Sequence, residues 1–503
     1  MFGLSIYLLV LIALAYQLPA EWWDAASPEY LFLIGAIGLW RYGWGAVNVV
    51  RGLIYMRIVF PRMRRRVERA GPASMPSHNF LLVTSFRIDG ETTRRVYESV
   101  IAEAVRSGLR CTVIASIVEM GDQRIIKALH GSIAGADDLV DLEFVRIAGT
   151  GKRDALAEGF RAVARRAPPE DAVVCVIDGD SILAPGTLRR SLPFLSVYPD
   201  AGAFTTDEVC EVVGRQIFRE WYNMRFAQRQ ILMSSQGLSG RVLTLTGRMS
   251  AFRASIVTHP EFVRQVEVDW VDHWRLGRFK FLTGDDKSSW FYLLRNGWKM
   301  LYIPDVRVVT IEHPPHDSFV IASTQLMVRW FGNMLRTNGR ALALGPHRIS
   351  WWTWWSILDQ RISMWTSLTG LAASILTAVF LDPVLLIGYL YWVAFTRFVQ
   401  TLSLLAGRSH VSWTYPFLLY YNQIYGSMVK TYVFFRLDRQ RWTRQKTSAT
   451  RTLSSRRERM NRIGAVTVHA CALISFFGVL GSYMRVLTPA ALMNFDLLLA
   501  TNN

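Results

Sequence analysis

The stretch Ala172-Val-Val-Cys-Val-Ile-Asp-Gly-Asp180 sets the fold class of this 503-residue chain. Its first six residues form a continuous apolar run, which predicts a strand buried on both faces of a parallel sheet. Two carboxylates follow at the carboxyl end of the strand, where open α/β sheets bind their ligands. Carboxylate oxygens suit Mg²⁺ or Mn²⁺, and such an ion can hold a diphosphate. Asp178 and Asp180 are therefore candidate metal ligands, although isolated Asp-x-Asp sequences also occur in ordinary turns.

The sequence on both sides of this segment, from about residue 79 to 344, alternates β-rich runs with amphipathic helical runs. Strands are predicted at 80–84, 111–117 and 172–177, and helices at 92–107 and 155–166. This alternation indicates an α/β domain with a mainly parallel sheet.

The composition indicates that apolar and polar residues are segregated along the chain. Hydrophobic residues make up 51% of the sequence, yet the mean hydropathy is only +0.18. A net charge of +18 points to an anionic partner. The basic runs lie beside apolar segments, where positive-inside topology explains them, so anionic lipid or an anionic substrate is expected and nucleic acid is not. The four cysteines have neither metal-ligand nor disulfide spacing, which fits a reducing cytoplasm.

Apolar stretches that approach the length of a membrane span lie at both ends of the chain. The first two cover residues 2–18 and 31–50, without the basic leader and cleavage site of a signal peptide. The basic run at 62–66 places the N-terminus and the α/β domain in the cytoplasm. Further spans are predicted at 365–381, 384–405 and 463–484, and the tryptophan cluster at 351–355 predicts a helix along the membrane surface. A basic loop at 436–462 should also be cytoplasmic, so 411–432 is predicted to be interfacial or re-entrant.

A second acidic pair, Asp285 and Asp286, lies in Phe281-Leu-Thr-Gly-Asp-Asp-Lys287. A carboxylate in an active site can deprotonate an acceptor hydroxyl, and a neighbouring charge helps to set its pKa. The alternative interpretation is a helix N-cap, because an aspartate before Lys-Ser-Ser-Trp-Phe would cap a helix well. Both can hold, since a helix start also presents backbone amides to a ligand.

Two basic residues and a tryptophan complete the candidate site. Arg329 can clamp a diphosphate and Trp330 can pack against a sugar ring, while the alternative for this pair is an anchor at the membrane interface. Lys152, in Gly149-Thr-Gly-Lys-Arg-Asp-Ala-Leu156, precedes a predicted helix and can contact phosphate. The full phosphate-loop pattern of nucleoside triphosphatases is missing.

The order of these motifs resembles family 2 processive glycosyltransferases, which include cellulose, chitin and hyaluronan synthases. Lys-x-x-Ala-Leu, Asp-x-Asp, Thr-Gly-x-x-x-x-Phe-Arg, Gly-Asp-Asp and Arg-Trp follow one another as in that family, and the resemblance covers nearly the whole chain. It implies a GT-A type, Rossmann-like cytoplasmic domain inserted between transmembrane helices. The implied division is 1–66 for two N-terminal spans, 67–345 for the glycosyltransferase domain, and 346–503 for interfacial helices, spans and a basic gating loop.

The resemblance also implies a role for each matching residue. Asp178 and Asp180 match the pair that binds Mg²⁺ or Mn²⁺ and the donor diphosphate. Asp286 matches the general base of an inverting transfer, and Asp285 is the acid before it. The implied donor contacts are Lys152, Glu119 and Arg329, the implied acceptor contact is Trp330, and the implied gating-loop residues are Trp442, Thr443 and Arg444.

Three departures from the family pattern stand out. Leu326 occupies the glutamine position of the Gln-x-x-Arg-Trp motif, with Gln325 one residue early. After the second strand the family has an aspartate that reads the base, and here only Glu119 and Asp122 are available. The segment Arg441-Trp-Thr-Arg444 lacks the glycine of the hyaluronan synthase gating loop, so a plain basic flank is the alternative interpretation.

Several blocks resemble the bacterial alginate (polymannuronate) polymerases within this family. They are Ser239-Gly-Arg-Val-Leu-Thr-Leu-Thr-Gly-Arg-Met-Ser250, Thr283-Gly-Asp-Asp-Lys-Ser-Ser-Trp290 and Arg329-Trp-Phe-Gly-Asn-Met-Leu-Arg336. This resemblance implies GDP-mannuronate as donor and a growing anionic β-1,4-linked polymannuronate as product. It also implies a multi-pass protein of the bacterial inner membrane and a separate co-polymerase subunit that binds cyclic-di-GMP. The alternatives are a polymerase that uses a UDP-sugar, a lipid-linked sugar transferase and a transporter with a regulatory domain.

Three cations inside apolar segments bear on the path of the product. Arg41, Arg397 and Lys430 lie where unpaired charge is expensive in a bilayer. They indicate either a polar pore that attracts carboxylates or side chains that snorkel or pair between helices.

Overall fold

The computed structural model describes residues 2–17, 28–149, 151–380, 383, 385–440 and 455–483. The chain groups into two compact units. The helical unit comprises Met1–Asn48, Asp359–Arg436 and Thr452–Asn503, and the sheet unit comprises Val49–Leu358 and Leu437–Arg451. Each unit is described by itself below.

The sheet unit is built on an eight-stranded sheet with the order β3-β2-β1-β4-β7-β6-β10-β5. Its strands are β1 (Asn79–Thr84), β2 (Cys111–Ile117), β3 (Val140–Arg146), β4 (Val173–Asp178), β5 (Ser181–Leu183), β6 (Ala201–Val212), β7 (Met249–Arg253) and β10 (Lys299–Glu312). Strands β3, β2, β1 and β4 run parallel, as do β6 and β10, whereas β7 is antiparallel to both β4 and β6. A separate hairpin pairs β8 (Trp270–His273) with β9 (Gly277–Lys280). The predicted mainly parallel α/β sheet is confirmed.

The register brings the carboxyl ends of three neighbouring strands together. Thr84 at the end of β1 is paired with Ser116 of β2 on one side and with Asp178 of β4 on the other. Every residue of β1 and β2 is buried, which explains why these strands read as continuous apolar runs. The three strands predicted from the sequence are therefore present, and they place Asp178 at the edge where ligands bind.

The helices of the sheet unit cover both faces of the sheet and bury its apolar side chains. They are α3 (Phe60–Ala70), α4 (Gly90–Ser107), α5 (Met120–Ser132), α6 (Ala136–Leu139), α7 (Lys152–Arg165), α8 (Thr187–Ser191), α9 (Pro193–Val197), α10 (Gln216–Gly237), α11 (Ala254–Val257), α12 (Pro260–Glu267), α13 (Asp285–Arg295), α14 (Phe319–Leu342) and α15 (Pro346–Ile349). The helices predicted at 92–107 and 155–166 are α4 and α7. Asp89 caps α4 by accepting the backbone N–H of Thr92 at 2.8 Å.

The remaining helices lie in the helical unit or extend into it. They are α1 (Phe2–Gln17), α2 (Pro28–Ile54), α16 (Trp351–Phe380), α17 (Leu385–Ser403), α18 (Tyr415–Phe434) and α19 (Ser455–Tyr483). Among the described residues, Trp351–Phe380 and Glu458–Ser482 are long and apolar enough to cross a bilayer, and Phe2–Tyr16 is apolar but shorter. The surface helix predicted at 351–355 and the span predicted at 365–381 are one continuous helix of 30 residues, because no proline interrupts them.

Candidate active site

The predicted metal pair and the predicted phosphate lysine meet at the carboxyl end of β4. Asp178 is the last residue of this strand, and Lys152 is the first residue of α7. The Lys152 ammonium nitrogen lies 2.5 Å from an Asp178 carboxylate oxygen and 3.2 Å from an Asp285 carboxylate oxygen. Burial opposes the lysine's charge, but the charges of Asp178 and Asp285 outweigh it and raise the pKa of Lys152. The lysine therefore joins the two acidic motifs as a cation.

A glycine closes over this ion pair from the loop between α10 and β7. A Cβ atom added at Gly247 would lie 2.5 Å from the Lys152 ammonium and 2.7 Å and 2.9 Å from the two Asp178 oxygens. These distances are well inside van der Waals contact, so the backbone at residue 247 approaches the pair as only glycine can. The motif Thr-Gly-x-x-x-x-Phe-Arg thus supplies a close backbone contact to the candidate site.

The second acidic pair lies at the start of α13. The N-cap of this helix is Gly284, in the left-handed region at φ +88°, and no side chain caps it, so the predicted aspartate N-cap is wrong. The Asp286 carboxylate accepts the Lys287 backbone N–H at 2.9 Å and the Thr244 hydroxyl at 3.2 Å. Since a glycine turns the chain into the helix, both aspartates are left to point their carboxylates into the site.

The two neighbouring carboxyl groups have pKa values that move in opposite directions. Burial disfavours the charge of Asp285, but Lys152 and Arg153 outweigh it and lower the pKa of this carboxyl. Burial raises the pKa of Asp286, the adjacent charge of Asp285 raises it further, and the Lys287 cation opposes the rise. A pair of carboxyl groups whose pKa values are pushed apart is typical of sites that separate acid and base roles.

A buried arginine that the sequence analysis did not single out supports this helix start. Arg153 keeps only 4% of its surface exposed. Its guanidinium donates to the carbonyl oxygens of Val266 (2.7 Å) and Thr283 (3.1 Å) and to the Ser288 hydroxyl (3.0 Å). A signal was present in the sequence, because Arg153 lies three and seven residues before Leu156 and Phe160, on the apolar face of α7.

The residues at the end of β4 fit a divalent cation. The Asp178 carboxylate keeps 26% of its side-chain surface, so an ion and a diphosphate can reach it. Burial and the neighbouring charge of Asp180 both raise the pKa of Asp178 against the effect of Lys152, so additional positive charge would be accommodated there. Within the described ranges no three His, Cys, Asp or Glu side chains converge on one position. An ion held by two carboxylates would thus take its other ligands from phosphate and water, as Mg²⁺ commonly does.

Arg329 and Trp330 lie on α14, as the sequence predicted, within an aromatic cluster. The Trp330 ring stacks on Trp221 with centroids 5.7 Å apart, and the Arg225 guanidinium lies 4.4 Å from its centroid. Arg329 is close enough to Tyr222 for its charge to oppose the burial-driven rise of the tyrosine's pKa. The contacts described above join Lys152 to the acidic residues, whereas Trp330 is held by α10.

The remaining predicted residues are more scattered. Glu119 is exposed at the N-cap of α5, where its charge, after burial, raises the pKa of Asp122. Leu326 is buried in α14, so the departure from the family's glutamine stands. The predicted gating-loop residues Trp442, Thr443 and Arg444 lie outside the described residues.

Comparison with known proteins identifies related chains. The family described as "Glycosyltransferase like family 2" matches residues 76–333. "Glycosyltransferase alg8" of Pseudomonas syringae pv. tomato is 51% identical over 453 residues, which cover 90% of this chain and 92% of the relative. The protein of the same name from Azotobacter vinelandii is 49% identical over 478 residues, covering 95% and 97%.

Two solved structures show more distant likeness. The mannosyltransferase PcManGT from Pyrobaculum calidifontis, solved with GDP-Man and Mn²⁺, is 18% identical with a TM-score of 0.44, covering 72% of this chain and 96% of its own. S. aureus TarS is 11% identical with a TM-score of 0.29, covering 52% and 40%.

The family match covers the sheet unit from before β1 to α14, and both full-length relatives are about half identical to this chain. The match contains Lys152, both acidic motifs and the Arg-Trp pair. The resemblance drawn from the sequence is therefore confirmed, and with it the GT-A type of the sheet. The chain is a glycosyltransferase and belongs to glycosyltransferase family 2.

Proposed function

We propose that this enzyme polymerises GDP-mannuronate into β-1,4-linked polymannuronate, the precursor of alginate, and passes the product across the bacterial inner membrane. The choice of donor is supported by the relatives named glycosyltransferase alg8 and by the three sequence blocks that resemble alginate polymerases. The observation that carries the reaction is the placement of Asp286 beside the cluster of Lys152, Asp178 and Asp285.

In the proposed reaction Asp286 removes the proton from the acceptor hydroxyl of the growing chain. The Thr244 hydroxyl and the Lys287 amide hold its carboxylate in place, and its raised pKa makes it a better base than an ordinary aspartate. The deprotonated oxygen attacks the anomeric carbon opposite the departing GDP, so the transfer inverts the configuration through an oxocarbenium-like transition state.

The departing diphosphate is stabilised by charge at the end of β4. Asp178 and Asp180 would hold a Mg²⁺ or Mn²⁺ ion, which supplies positive charge to the leaving phosphate oxygens. Lys152 adds a further cation at the same place, and it remains tied to Asp285 at 3.2 Å. Arg329 is proposed to reach the diphosphate, Glu119 the nucleotide, and Trp330 the acceptor sugar.

The proposed passage of the product rests on polar side chains inside the helical unit. Arg397 donates to Gln400 and Gln423, and it is 6% exposed. The Lys430 ammonium donates to the Ser363 hydroxyl at 3.1 Å, and Arg41 pairs with Asp359. Charged groups between membrane helices typically mark a ligand or ion path. A uronate polymer carries one carboxylate per sugar, which suits this excess of cations.

The test is an incubation of membranes that contain the enzyme and its co-polymerase with GDP-mannuronate, Mg²⁺ and cyclic-di-GMP. We expect release of GDP together with a long polymer that alginate lyase digests, and loss of both when the divalent cation is chelated. Turnover of a UDP-sugar instead would replace the donor but keep the polymerase. Transfer of a single sugar to a polyprenyl carrier would contradict a processive synthase.

A further inference from the structure

The loop from Lys280 to Gly284, which leads into α13, is held by a side chain far along the chain. The backbone N–H of Leu282 donates to the Gln440 side-chain oxygen at 2.9 Å, and the Gln440 side-chain nitrogen donates to the Lys280 carbonyl at 2.9 Å. One amide therefore satisfies two backbone groups two residues apart, as a neighbouring strand would. Gln440 is 6% exposed, so water cannot readily replace these bonds.

A second set of contacts joins the same loop to the segment that carries Gln440. The Thr283 hydroxyl donates to the Asn333 side-chain oxygen at 2.6 Å, and one Arg336 nitrogen donates to that same oxygen at 2.6 Å. The other terminal nitrogen of Arg336 donates to the Leu437 carbonyl at 3.1 Å. The contacts form a closed circuit from the loop through α14 to residues 437–440 and back to the loop.

The circuit leaves little freedom at the start of α13. A Cβ atom at Gly284 would lie 3.0 Å from the Asn333 side chain, so α14 packs directly against the turn. Arg153 holds the Thr283 carbonyl from the side of α7. Asp286 follows two residues after Gly284, and its carboxylate is therefore placed by a loop that is fixed from two sides.

We propose that Gln440 is a positioning residue for Asp286. Its amide fixes the backbone of Lys280 and Leu282, and the loop transmits that position to the first turn of α13. The proposal rests on the proposed function, in which Asp286 is the base. Since misplacing a catalytic group by about 1 Å can cost about 100-fold in rate, loosening this loop should lower kcat without preventing donor binding.

The experiment compares two buried glutamines of the sheet unit in the full-length enzyme with its partners. Gln440→Met removes both hydrogen bonds to the loop at nearly constant volume. Gln236→Met is the matched control, because the Gln236 amide is also buried and donates to Ser356 at 2.8 Å, away from the acidic pairs. We expect Gln440→Met to lower kcat by about 10-fold or more with the donor KM within about twofold of wild type, and Gln236→Met to keep kcat.

Hydrogen–deuterium exchange of the peptide that contains Leu282 supplies a readout independent of turnover. It should quicken in Gln440→Met and stay unchanged in Gln236→Met, because only the first variant frees the Leu282 N–H. Wild-type kcat in Gln440→Met, or an equal loss in both variants, would overturn the positioning role while Asp286→Asn remains inactive. Activity in Asp286→Asn would instead refute the proposed base, and Gln440 would then anchor the loop without serving it.

Discussion

Replacing Asp286 with asparagine is expected to reduce polymer synthesis by about 1,000-fold or more, since general base catalysis contributes up to about 10⁴-fold. Asparagine has the size of aspartate and can still accept the Thr244 hydroxyl and the Lys287 amide, so the fold and donor binding should survive. Only the capacity to take a proton is lost. The measurement is GDP release and polymer length in membranes that contain equal amounts of enzyme.

The matched control is Asp272→Asn. Asp272 lies in the β8–β9 hairpin with 81% of its side chain exposed, and its nearest ion-pair partner is Arg278 at 3.8 Å. The same chemical change there should leave turnover unaltered, because exposed ion pairs contribute little. An Asp286→Asn enzyme with activity within about 10-fold of wild type would show that another group accepts the proton.

The second large effect is expected at Gly247, where alanine should lower kcat by about 100-fold. The added Cβ would collide with the Lys152 ammonium and the Asp178 carboxylate at distances below 3 Å. The lysine can retreat along its flexible chain, but the aspartate is fixed at the end of β4. The collision therefore falls on the cation site rather than on the core, and thermal stability should change little.

Gly131→Ala in α5 serves as its control, because a Cβ atom there meets nothing within 4 Å. This variant should keep full activity and gain up to about 1 kcal/mol, since alanine favours a helix over glycine. Titration of GDP release with Mn²⁺ separates the two variants. Gly247→Ala should need a higher metal concentration than wild type, and an unchanged metal dependence would argue against a cation held at Asp178.

Much of the fold could be predicted because its strands are buried on both faces. The run that ends at Asp178 and the run at 111–117 are apolar throughout, and the structure places both inside the sheet. The acidic motifs were also recognisable, because each follows a short signal of its own: a strand end for Asp178 and a glycine before Asp285. Their meeting through Lys152 could be expected only from the resemblance to a family.

The contacts that hold the site depend on residues distant in sequence, and local patterns do not report them. Gln440 reaches Leu282 across 158 positions, and Arg153 reaches Thr283 across 130. The predicted aspartate cap of α13 was wrong because Gly284, with a positive φ, already ends the preceding loop. The continuity of Trp351–Phe380 was missed because the tryptophan cluster and the apolar run were read as separate signals.

The central claim is that Asp286 takes the acceptor proton, and the pH dependence of kcat in wild type and Asp286→Glu tests it most directly. The base must be ionised, so activity should fall as the pH drops through the raised pKa of Asp286, above the value of about 3.9 for an ordinary aspartate. The account predicts that this acid limb moves in Asp286→Glu. An acid limb at the same pH in both enzymes would show that a different group accepts the proton, and would contradict the account.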